Sequence, residues 1–183
     1  MRNHLGGELY QHSVGVAETA AALAARYRGD RHRAYLAGLI HDYGKGYSHT
    51  ELCRKAEQMG LCLDRVSLKE KRLLHAPVGA ALLPVELGIT DSAVLRAVAY
   101  HTTGRAKMSL LEKVLYLADF IEPGRDFDGV KKLREIARTD LDRALLAAVE
   151  QTIQSVLIRG LLLHPRSVQF RNSLLTSLRE NGG

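Results

Sequence analysis

Six polar residues stand where the sequence pattern calls for apolar ones: His12, His41, Asp42, His75, His101 and Asp119. His12 lies one turn before Val16, on a stripe that continues through Ala20, Leu23 and Ala24. His101 follows Val94 and Val98 at helical spacing, and Asp119 follows Leu111 and Leu115 in the same way. The apolar run Leu36 to Ile40 ends in His41-Asp42, just before the turn-forming Gly44 and Gly46. A single His-Asp pair fits a core histidine bonded to a helix-capping aspartate. Four histidines and two aspartates sent inward by one small chain call for a shared cation, because buried charge is costly unless paired. The donors are nitrogen and oxygen with no sulfur, which favours iron, manganese, cobalt, nickel or zinc. Such an ion would acidify water and polarise a phosphoryl oxygen. Lys45, just beyond Asp42, could then place its ammonium on a phosphate, or it could be a solvated loop lysine. Arg125, in the Gly-containing loop after Asp119, could clamp a second phosphate with its planar fork, or pair with Asp126 or Asp128.

The bulk of the chain is compatible with that chemistry. Its 183 residues are 46% hydrophobic and 25% charged, enough for one domain with a real core. A formal charge of +6 suits a polyanionic ligand such as a nucleotide, a polyphosphate or RNA. Nucleic acid is the poorer fit, because tryptophan is absent and only three Phe and seven Tyr are available for base stacking. Cys53 and Cys62 form no C-x-x-C pair, so zinc-ribbon and redox motifs are excluded, and two buried, reduced thiols are expected. No signal-type or membrane-length apolar run is present, so a cytoplasmic protein is expected.

The elements that must position these residues are helices throughout, so the expected fold class is all-α. Helical spacing places helices over 10–27, 31–42 and 48–59, with Gly60 ending the third in a left-handed turn. Pro77 suits the first turn of a fourth helix that Pro84 should kink and Gly88 should end. Thr90 or Asp91 caps the next. Ser109 to Glu112 is a capping box, and Pro123-Gly124 breaks the helix that it opens. A short helix over 130–137, a long one from Asp140 to Gly160 and a last one over 168–178 complete the chain. Before the last, His164-Pro165 reads as a turn. The apolar faces of the last two helices suit either the core or a homodimer interface.

Taken together, His12, His41-Asp42 and Asp119 resemble the pattern of the HD-domain metal phosphohydrolases. The surrounding phrases sharpen the likeness: His41-Asp42-Tyr43-Gly44-Lys45, His75-Ala76-Pro77-Val78-Gly79-Ala80, Tyr100-His101-Thr102-Thr103-Gly104-Arg105 and Ala118-Asp119-Phe120-Ile121-Glu122-Pro123-Gly124-Arg125. They resemble the bacterial YqeK-type subfamily, which acts as a symmetrical dinucleoside tetraphosphate hydrolase. The resemblance implies one HD domain over 1–183, with a metal core over 10–126 and C-terminal helices over 128–180 completing a nucleotide pocket. It implies cleavage of diadenosine tetraphosphate into two ADP at a divalent centre, iron first among the metals. His12, His41, Asp42 and Asp119 would hold the metal, and His75 and His101 would bind phosphate or a second ion. Asp42, Lys45, His75, His101 and Arg125 would act on the phosphates, and the segment from His164-Pro165 to Phe170 would line the ADP pocket. Leu9 departs from the family, which commonly has arginine there; Arg2 or Lys107 could supply the missing contact. Another nucleotide or cyclic-nucleotide phosphohydrolase, or a non-catalytic binding module, are the alternatives.

Overall fold

The computed structural model describes residues 1–180; the last three, included in the domain expected from sequence, lie outside them. Eleven α-helices and one 3-10 turn make up the regular structure among the described residues: α1 (Arg2–Leu5), α2 (Gly7–Arg26), α3 (Arg31–Ile40), the 3-10 turn Tyr43–Gly46, α4 (His49–Gln58), α5 (Arg65–Lys69), α6 (Lys71–Leu87), α7 (Ser92–Tyr100), α8 (Leu110–Ile121), α9 (Val130–Ile136), α10 (Leu141–Ile158) and α11 (Pro165–Glu180). The chain is all-α, as its periodicity predicts.

Local signals account for most helix starts. Asp30 accepts from the backbone N–H groups of His32 and Arg33, and Asp91, not Thr90, caps α7 in the same way. Ser48–Glu51 and Ser109–Glu112 are complete capping boxes. Several boundaries differ from the sequence expectation: α2 starts at Gly7, α3 ends at Ile40 so that His41 and Asp42 lie beyond it, and the short helices α1 and α5 were not expected. α6 begins at Lys71 and runs unbroken through Pro77 and Pro84. Each proline removes one helical hydrogen bond, but the turn before Pro77 buries Leu74, His75 and Ala76, and that packing outweighs the loss. α11 begins at Pro165, which occupies the first helical position, where its missing N–H has no partner to lose. The thiols expected to be buried are not, since Cys53 is half-buried and Cys62 exposed.

Packing brings α2, α3, α6, α7 and α8 around one centre. α2 and α3 touch backbone to backbone: a Cβ on Gly38 would sit 2.5 Å from Ala17 Cα. The 3-10 turn lies as tightly on α6, with Gly44 against the His75 carbonyl and an added Cβ on Gly79 only 2.9 Å from Gly44 N. α10 covers α8, and α11 lays Phe170 against the Tyr116 ring, 5.1 Å between centroids. The inner faces of the last two helices serve this core, while Leu157 and Ile158, at 61% and 86% exposure, stay outside it.

Glu112 ties the centre to its surroundings. Only 1% exposed, it accepts a fork from Arg105 at 2.6 and 2.8 Å as well as the Ser109 backbone N–H. Replacing Glu112 with Ala strips a charged partner and a helix cap together. A loss of roughly 2 kcal/mol in urea-unfolding free energy is expected, the scale of hydrogen bonds to charged groups.

Candidate metal centre

His41 and His101 reach the centre by the same local device. Each is the first residue past a helix end, and each folds its ring back so that Nδ1 donates to the carbonyl three residues earlier. His41 Nδ1 lies 2.6 Å from Gly38 O, and His101 Nδ1 lies 2.7 Å from Val98 O. This gives a carbonyl of each last helical turn a side-chain donor. It also fixes the tautomer, since a carbonyl cannot donate: in the neutral rings Nδ1 carries the proton and Nε2 presents a lone pair. His12 on α2 is set in the same sense by Glu122, whose Oε1 lies 3.1 Å from His12 Nδ1.

Those lone pairs face carboxylate oxygens. His12 Nε2 lies 3.1 Å from Asp119 Oδ1 and 3.7 Å from Asp42 Oδ2, and His41 Nε2 lies 3.3 Å from Asp42 Oδ2. His75 and His101 bring their Nε2 atoms to 3.2 and 3.6 Å from the other Asp42 oxygen. His12 Nε2, His41 Nε2 and Asp42 Oδ1 are buried, and none makes a hydrogen bond. Lone pairs set against carboxylate oxygens repel unless a positive charge stands among them. Ligand atoms 2.0 to 2.2 Å from one ion lie about 3 to 3.5 Å from one another, which is close to the spacing found here. The donor set therefore fits a divalent ion held by His12, His41, Asp42 and Asp119. The triad Asp42, His75 and His101 groups around the second Asp42 oxygen.

The proton equilibria point the same way. Burial favours a neutral Asp42, but the charge on His41 and the ring nitrogens of His101, His41 and His75 outweigh it and hold the carboxyl far below the usual range. Asp119 is likewise held low against burial, by contact with His12 and the charge on His41. Burial works to keep His41 neutral, yet Asp42 and then Asp119 draw a proton onto it. His75 goes the other way: burial pushes it down to about 4, so it is neutral near pH 7. The two aspartates thus demand positive charge, which a divalent ion among these ligands would supply.

The two cations expected near phosphate take their places at the aspartates. Lys45 Nζ lies 2.6 Å from Asp42 Oδ2, and the Arg125 guanidinium lies 2.6 Å from Asp119 Oδ1 and donates through Nε to the Asp119 carbonyl. Arg125 thus binds Asp119, not the neighbouring Asp126 or Asp128. His12 and Asp119, expected to face inward, form the open side of the cluster, with side chains 15% and 21% exposed. Two sets of grooves begin there. One, of about 220 Å3, passes His101 and Asp119 and holds Arg72, Tyr116, Phe120 and Arg159. It shares Phe120, Thr152 and Arg159 with a second, of about 390 Å3, that holds Arg125 and Phe127. On the other side, a wider groove of about 890 Å3 passes His12 and contains Arg2 and Gln11.

The expected pocket segment 164–170 does not line these grooves. His164 is buried, with Nε2 bonded to Asp64 at 2.9 Å and Nδ1 accepting from the Arg166 backbone N–H. Pro165 starts α11, and Phe170, 1% exposed, packs behind Tyr116 and against Gly104. These residues support the groove wall from behind, because helix α11 turns its apolar face to the core. Glu122 was missed by sequence reasoning although it stands one helical turn after Asp119, a spacing that could have drawn it into the cluster.

The comparisons with known proteins converge on this centre. The HD domain family matches residues 9–124, which contain all six clustered residues. The chain belongs to the HD domain family. A symmetrical bis(5'-nucleosyl)-tetraphosphatase of Halalkalibacterium halodurans is 42% identical over 175 residues, spanning 96% of this chain and 93% of the relative. One of the same description from Bacillus subtilis is 40% identical, spanning 84% and 82%. A crystal structure from Clostridium acetobutylicum, described as a predicted HD superfamily hydrolase involved in NAD metabolism, superposes with a TM-score of 0.93 at 41% identity, covering 96% and 93%. No described helix is long and apolar enough to cross a membrane.

A divalent ion at a hundredfold excess over its dissociation constant should raise the unfolding free energy by about 2.7 kcal/mol, and a chelator should reverse it. The ion-dependent rise in thermal midpoint should vanish in Asp42→Asn.

Proposed function

We propose that this protein hydrolyses dinucleoside tetraphosphates symmetrically, converting diadenosine tetraphosphate into two ADP. The observation that carries the reading is the set of orphaned lone pairs and carboxylate oxygens at the head of grooves that carry Arg72, Arg125 and Arg159. It is supported by relatives that are themselves symmetrical tetraphosphatases and align over most of their length. A bound divalent ion supplies Lewis acidity, which lowers the pKa of water and polarises the scissile anhydride. Iron or manganese is our first choice for that ion, on the resemblance already described, and the cytoplasm is the compartment in which we place the reaction.

The chain's own residues do the rest. The grooves with Arg72, Arg125 and Arg159 suit one ADP half, with guanidinium forks for phosphate and the Phe120–Phe127 pair, 5.1 Å between centroids, beside the base. The other half extends past His12 into the groove that holds Arg2, which takes the part of the arginine that Leu9 replaces. With the central anhydride over the cluster, Lys45 and Arg125 lie where negative charge accumulates, and both can turn from their aspartates to phosphate oxygens. His75, neutral near pH 7, orients phosphate by hydrogen bonding and contributes no charge. Holding the middle of the polyphosphate at the ion, with a nucleoside on either side, makes the two products identical.

Anion-exchange chromatography of a reaction with diadenosine tetraphosphate and manganous or ferrous ion tests this directly. ADP should be the sole nucleotide product, and Asp119→Ala should lower turnover at least a hundredfold. AMP with ATP would overturn the symmetrical placement.

A further inference from the structure

One buried carboxylate near the centre is not among the six clustered residues. Glu122, 5% exposed, closes α8 and points back at α2. Its Oε1 accepts from His12 Nδ1 at 3.1 Å and its Oε2 accepts the Gly124 backbone N–H at 2.6 Å. Two glycines leave it the necessary room. A Cβ on Gly15, one turn from His12 on α2, would sit 2.7 Å from Oε2, and one on Gly124 would sit 3.0 Å from both oxygens. The loop that carries Glu122 is in turn fixed from α9. Arg134 donates to the carbonyls of Ile121, Glu122 and Arg125 at 2.8 to 2.9 Å.

We propose that Glu122 is a positioning residue for His12: by accepting the hydrogen bond from Nδ1–H it turns the Nε2 lone pair to the ion site. The three histidines of the cluster with a fixed Nδ1 partner differ in how they are held. His41 and His101 donate to neutral backbone carbonyls and are confined by burial, at 0% and 1% side-chain exposure. His12 stands on the open side at 15% exposure, where packing confines it least, and it alone donates to a carboxylate. A charged acceptor behind a histidine ligand orients the ring and raises its donor strength, and removing such a partner typically costs 10–100-fold in metal affinity. A carboxylate is also the one group that fits here without rearrangement. Both of its oxygens receive N–H donors, so glutamine would point its own NH2 at either His12 or Gly124.

This rests on the metal reading of the centre but not on the substrate. It is tested on the full chain by competing manganous ion against a fluorescent chelator. Glu122→Gln should weaken binding roughly ten- to a hundredfold. Gly15→Ala should do the same by pushing the Glu122 carboxylate aside while leaving that residue in place. Nitrogen-15 histidine spectra of the ion-free protein should show His12 protonated on Nδ1 in the parent chain and a mixture of tautomers in both variants. Far-ultraviolet circular dichroism should be unchanged. Unchanged affinity in both variants, an unaltered His12 tautomer, or affinity lost only in step with helix content would overturn the assignment. None of these readouts depends on which nucleotide is cleaved, so failure of the symmetrical tetraphosphatase reading would leave the result intact.

Discussion

A carboxylate removed from water must be met by positive charge or by donors, and one oxygen of Asp42 is met by neither. The aspartate is fully buried, its Oδ1 has no hydrogen bond, and the Nε2 atoms of His75 and His101 stand 3.2 and 3.6 Å from it. An isolated buried ion of this kind is penalised by several kcal/mol, a large fraction of a domain's total stability. The surrounding architecture meets that demand. α2, α3, α6, α7 and α8 each deliver one or two residues to the same few ångströms. Gly38, Gly44 and Gly79 let the backbones approach closely enough for the rings to converge. The helix ends before His41 and His101 supply carbonyls that hold both tautomers.

The same constraint organises the surroundings of the site. Asp119 and His12 are the less enclosed members of the cluster, so the demand for cations reaches the surface there. Arg125 answers it at Asp119, and Lys45 reaches the buried Asp42 from the 3-10 turn. Grooves carrying further arginines lead away from this open side. Behind these grooves, Phe170 and the Asp64–His164 pair anchor α11 and keep Tyr116 in place.

Much of this could be read from residue types and spacing. Helical periodicity is a local property of the backbone, so the all-α class, the capping box at Ser109 and a cap at Thr90 or Asp91 followed from short windows of sequence. The polar residues of the centre also betrayed themselves locally, because His101 and Asp119 interrupt apolar stripes at regular spacing. What needed the tertiary structure was partnership. Pro77 looked like a helix start until the burial of Leu74, His75 and Ala76 showed why the helix begins earlier. His164 looked like a pocket residue until Asp64, far away in the chain, took its Nε2.

The sequence by itself determined that His12, His101 and Asp119 are polar residues on the inward faces of helices, since that depends on near neighbours along the chain. Only the folded chain decided which oxygen each nitrogen faces, that Arg125 binds Asp119 and not Asp126, and that Glu122 stands behind His12. Those choices are set by contacts between helices whose approach is limited by single Cβ atoms, as at Gly15 and Gly38. A hydrogen bond is won or lost within a few tenths of an ångström, and spacing along a helix does not carry that information.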